Sequence, residues 1–245
     1  MLTILLQQKS SLITDFGPMY HEFHADALIK EPWNAYSSIF FLVPVLFWAI
    51  KLRGHYRENW IIILLLPLLL LNGVGSTFYH AFRSSNFFLI MDFAPAMVMS
   101  LIIGAYLWAK VFEKWYWGLL MIVFAFFITR FFSGTLADSL KISRINISYL
   151  MNGTIFLAPA LIILFKSNFY KWAYVIISIF LLIGAIIFRS LDYPTPNPFP
   201  EIMPQGTHFL WHIFTALAVF SMGYYFYYLK DLSFKSKQHI SKKMH

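Results

Sequence analysis

The stretch 60–82, WIIILLLPLLLLNGVGSTFYHAF, decides the fold. Its first half is uncharged and almost wholly aliphatic. At about 1.5 Å per residue the whole run is long enough to cross a hydrocarbon core about 30 Å thick. Polar residues then enter before the run ends, and they close on His80. A histidine in such a run is costly unless it is paired, hydrogen-bonded or ligating. The stretch therefore reads as a membrane-spanning helix with something to hold at one end.

Working outward, comparable apolar runs recur along the chain. The expected spans lie at about 35–52, 60–82, 87–109, 115–133, 146–166, 170–189 and 207–229. The first follows EPWN, where Glu31 and Asn34 flank a proline suited to a helix start. This predicts an all-α fold, a seven-transmembrane helical bundle. Residues 1–34 would form an N-terminal extracytoplasmic segment, 35–229 the bundle, and 230–245 a basic cytoplasmic tail. Pro67 and Pro159 lie inside spans, which lipid-buried helices tolerate when neighbours satisfy the freed carbonyls. The loop SLDYPTPNPFPEIMPQ is too proline-rich for helix and is expected to form a stiff cover beside the last two spans.

Composition agrees. Only 12% of residues are charged, against about 25% in an ordinary soluble domain, and mean hydropathy is +0.64. The absence of cysteine excludes disulfides, thiolate metal sites, iron–sulfur clusters and cysteine nucleophiles. The opening MLTILLQQKSS has too short an apolar stretch for a cleavable signal and no basic residue before it, so the first span is expected to do the targeting. The net charge of +8 does not point to nucleic acid, because the basic residues lie in loops and tail rather than on a separate domain. Placing the C-terminus inside puts twelve of the nineteen Lys and Arg residues on the inner side, so the N-terminus is expected outside. Arg130 and Arg189, at the ends of the fourth and sixth spans, are expected to snorkel to the outer interface.

That topology makes a geometric prediction. Ser76 and His80 fall near the outer end of the second span, while Asp92, His208 and His212 fall in the first turns of the third and seventh. All five should meet in the outer leaflet. His208 and His212 are one helical turn apart, so both imidazoles can face one point. A third imidazole from His80 gives three neutral ligands and leaves a fourth tetrahedral position for water, the composition of a catalytic zinc site. Zinc would bring the pKa of that water from 15.7 toward ~7. The alternative is that each histidine merely bonds across helices. Ser76 could donate to a developing oxyanion, or serve with Gly73 and Gly75 as a small residue for close helix packing. Asp92 could exchange protons with water and a leaving amine, or orient a ligating imidazole. Asn72 and Asn152 are expected to tie helices together.

The ordered set EPWNAYSS, GVGSTFYHAF, MDFAPAM and GTHFLWHIFTA resembles the alkaline ceramidase family, within the wider superfamily of seven-span metal-dependent hydrolases that includes adiponectin-receptor-like proteins. The resemblance covers most of the chain. It implies zinc ligands at His80, His208 and His212, an active-site serine and aspartate at Ser76 and Asp92, and cleavage of a ceramide-like membrane lipid to sphingoid base and fatty acid. Animal members also bind calcium through an acidic N-terminal segment. Here only Glu31 and Glu22 match it, and HEFHADALIK carries His24 where an oxygen ligand would serve, which counts against calcium. A competing expectation is a lipid-sensing, receptor-like protein in which zinc only braces the bundle. Retinal is discarded because no lysine lies within a span except at its ends. Haem is disfavoured because i, i+4 histidines sit on one side of an iron.

Overall fold

Proline, glycine and charge mark the ends of the apolar runs, and helices fill what lies between. The computed structural model describes residues 15–142 and 144–232. Among them the elements are α1 (Pro32–Ser38), a 3₁₀ turn (Ile39–Phe41), α2 (Leu42–Lys51), α3 (Trp60–Phe82), α4 (Asn86–Phe112), α5 (Trp115–Leu140), α6 (Arg144–Lys166), α7 (Trp172–Ser190) and α8 (His208–Leu229). With α1 to α2 taken as one span, seven helices among the described residues are long and apolar enough to cross a membrane. Among the described residues every regular element is a helix, as the apolar runs require. Nearly all of the expected basic tail, 230–245, lies outside the described residues.

Two boundaries differ most from the sequence reading. The first span starts at Pro32, not at 35, with the proline in the first turn where its missing N–H costs nothing. It tightens to 3₁₀ at Ile39–Phe41. Pro44 supplies a reason, because it cannot donate to Phe40 and its ring crowds that carbonyl. The fourth helix runs on to Leu140, past the expected end at 133. Arg130 is therefore inside α5 rather than at a helix end. It is exposed. Arg189 lies in the last turn of α7, with its guanidinium 5.5 Å from the ring of Trp211.

By contacts the chain falls into two units. One comprises 15–53, Ile63–Met99 and Ser178–Phe220, and the other takes Gly54–Ile62, Ser100–Ile177 and 221–232. In the first unit α7 and α8 are joined where Ser178 donates to the Ala218 carbonyl at 3.1 Å. Phe47 of α2 packs on Phe220 of α8 at 4.8 Å. Gly75 lets α3 and α4 close together, since a Cβ there would collide with the backbone and Cβ of Met91. Asn72, one turn earlier, donates its amide to the Asp92 carbonyl, so its helix-tying role holds. In the second unit Trp108 donates to the Ile155 carbonyl at 3.1 Å, and Lys110 and Lys166 donate to the carbonyls of Leu229 and Val111. The outer faces are apolar, most of all on α5, where Phe124, Phe126 and Phe131 are exposed as lipid contact demands.

Candidate metal centre

The site lies wholly within the first unit. Helix α3 ends where Arg83 takes a left-handed φ of 51°. The carbonyls of its last turn have no helical partner, and two of them are capped by another part of the chain. Lys30 N–H donates to Ala81 O at 2.8 Å and Glu31 N–H to His80 O at 3.1 Å. Capping the helix end thus places the Glu31 side chain beside His80. Its carboxylate accepts the Nδ1 proton of His80 at 2.5 Å, which leaves Nε2 as the free nitrogen of that imidazole.

Arg83 completes this arrangement. Its guanidinium donates to both oxygens of Asp15 at 3.0 Å, to Glu31, and to the Pro18 carbonyl at 3.0 Å. It lies over the Tyr79 ring at 4.8 Å. Burial works against the charge, yet the Asp15 and Glu31 carboxylates outweigh it and hold Arg83 above its ordinary pKa. Glu22 accepts the N–H groups of Trp33 and of Asn34, the latter at 2.9 Å, so it caps α1 from a distance. Burial pushes the Glu22 carboxyl up to about 7 in spite of those two bonds.

On the other side, α8 starts at His208 because Asp192 receives its first N–H groups. One carboxylate oxygen accepts from Thr207 N at 2.7 Å and His208 N at 2.9 Å. The other accepts from His21 N at 3.1 Å and Tyr193 N at 2.7 Å, which ties the proline-rich loop to the N-terminal segment. The start of the loop is thereby tied both to the N-terminal segment and to the first turn of α8. Gly206, at a φ of +85°, lies so close that a Cβ would strike Asp192.

His80, His208 and His212 are all buried, and one nitrogen from each lies within 4.8 Å of the others. Their ring centroids are 4.8 to 5.3 Å apart. His212 Nδ1 is held by Ser37 Oγ at 2.8 Å and Ser38 Oγ at 3.2 Å. Tyr20 packs its ring 4.1 Å from that of His208 and 5.1 Å from that of His80. Two buried nitrogens, His80 Nε2 and His208 Nδ1, have no hydrogen-bond partner. Leaving such atoms unsatisfied costs about 1–3 kcal/mol each. The earlier alternative, in which each histidine simply bonds across helices, does not account for them. A metal ion does, so the residues present fit one, and the chemistry of the donor set, imidazole nitrogens without thiolate, suits zinc among several transition metals.

The other two residues expected at the site come to the same place. Ser76 is fully buried and lies 2.9 Å from Ser38 Oγ. Asp92, half-buried, lies near Ser76 and His80. Of the two acidic residues weighed for calcium, Glu31 is engaged by His80 and Arg83, and Glu22 by backbone N–H groups. Glu31, the residue before α1, makes no side-chain cap bond to that helix. The sequence reading missed the parts played by Glu31, Ser37, Ser38, Arg83 and Asp192. For Glu31 and the two serines a signal was present, because EPWNAYSS had been singled out, but nothing showed which helix faced it. Compared with protein-family models and with curated proteins, the chain matches none.

Proposed function

We propose that the chain is a zinc-dependent lipid amide hydrolase of the membrane interior, acting on ceramide or a related N-acyl sphingolipid to give a sphingoid base and a fatty acid. The observation that carries this reading is a buried cluster of three histidines, two with unpartnered nitrogens, with a serine and an aspartate beside it. A two-tailed amide lipid reaches such a depth without leaving the bilayer. On the charge count, the N-terminus is outside and the site in the outer leaflet. The lipid class rests on the resemblance of the ordered motifs.

Zinc bound there would supply hydroxide at neutral pH and polarise the amide carbonyl. The protein's own groups do the rest. Glu31 fixes His80 in the tautomer that leaves Nε2 free, and Ser37 does the same for His212. Ser76 donates a hydrogen bond to the oxygen that gains charge as the carbonyl carbon becomes tetrahedral. Asp92 takes a proton from the attacking water and returns it to the amine as the C–N bond breaks.

Incubating purified protein with a panel of N-acyl lipids, and reading fatty acid by mass spectrometry, is expected to show release that a chelator stops and zinc restores. Ser76→Ala should lose about 10²- to 10³-fold in turnover and Asp92→Asn about 10²- to 10⁴-fold, both with zinc retained. Lipid binding without turnover of any panel member would instead favour a lipid-sensing, receptor-like protein with a structural metal.

A further inference from the structure

Ser38 has three partners for one hydroxyl. Its Oγ is 2.8 Å from the Asn34 carbonyl, 2.9 Å from Ser76 Oγ and 3.2 Å from His212 Nδ1. A hydroxyl gives one proton and accepts two, so the direction of that proton decides what its neighbours can do. When Ser38 donates to Asn34 O, the bond between the serines requires Ser76 to donate to Ser38. The only proton of Ser76 is then committed away from Asp92 and from any oxyanion. When Ser38 turns its proton to Ser76, the Ser76 proton is free for the reacting centre.

The turn is cheap because of Ser37. Its hydroxyl also donates to Asn34 O, at 3.0 Å, and accepts from His212 Nδ1 at 2.8 Å. Neither the carbonyl nor the imidazole is orphaned when Ser38 rotates away. Ser38 is fully buried, so no solvent competes for its proton.

We propose that Ser38 is a positioning residue whose hydroxyl rotation sets whether Ser76 donates into or away from the metal centre, with Ser37 holding the remaining partners in both orientations. This rests on the metal-site reading of the previous section and adds a residue to it.

Cobalt substitution tests it without relying on lipid turnover, through the pH at which the visible bands of the cobalt protein change. Wild type, Ser38→Ala, Ser76→Ala and the double variant form a double-mutant cycle. Ser38→Ala is expected to move the midpoint by about half a pH unit or more, a roughly threefold change in the equilibrium, and to leave it unmoved in the Ser76→Ala background. An equal shift in both backgrounds would mean that Ser38 acts through His212, and no shift in either would mean that it acts on nothing at the centre. Either result overturns the proposal while leaving the metal site intact. A wild-type protein that develops no cobalt bands would overturn the metal reading, and this inference with it.

Discussion

His212→Ala is expected to lower zinc affinity by more than about 100-fold. Losing an outer partner of a ligating histidine costs about 10- to 100-fold, and this variant removes the imidazole itself along with its hold on Ser37 and Ser38. Glu31→Gln should fall within that 10- to 100-fold range, because the amide oxygen still accepts from His80 Nδ1 but no longer balances Arg83. Competition against a chromophoric chelator measures both. An affinity for His212→Ala within a few-fold of wild type would remove His212 from the ligand set.

The second large effect belongs to Arg83. Replacing it with methionine leaves the buried Asp15 and Glu31 carboxylates without their cation, and breaking a buried pair in this way costs about 3–5 kcal/mol. In a chain of this size that is a fall in Tm of order 10 °C. Arg83→Lys keeps the charge but not the paired N–H groups that meet Asp15, so an intermediate loss is expected. Adding Asp15→Asn to Arg83→Met should recover part of the stability, since one uncompensated charge disappears. Thermal unfolding in detergent follows all three. A double variant less stable than Arg83→Met alone would show that the Arg83 contribution is packing against Tyr79 and Tyr20 rather than charge.

The spans were legible because hydrocarbon leaves little choice: an apolar run of sufficient length must satisfy its backbone internally, and a helix does so. The histidines were legible for the complementary reason that polar side chains in such runs are rare. His208 and His212 carry their geometry in their i, i+4 spacing, and the clustering with His80, Ser76 and Asp92 followed once alternate spans were assigned opposite directions. What supports these residues was hidden. Glu31 meets His80 across 49 residues and Ser37 meets His212 across 175, and no local pattern tells which helices become neighbours. A glutamate before a helix-starting proline suggests a cap, whereas that service falls to Glu22, and Glu31 is drawn to the other side by its own N–H bond to the end of α3. Arg83 was counted as a loop charge for topology, although its left-handed backbone turns it into the protein.

The central claim is that His80, His208 and His212 hold one metal ion with a coordination position left open, and X-ray absorption at the zinc edge on purified protein tests it most directly. The expected spectrum shows about one zinc per chain, with three imidazole nitrogens and one further light atom at about 2.0 Å. A protein isolated from zinc-containing medium without metal, or with zinc ringed by four imidazole or carboxylate groups of the chain, would contradict it.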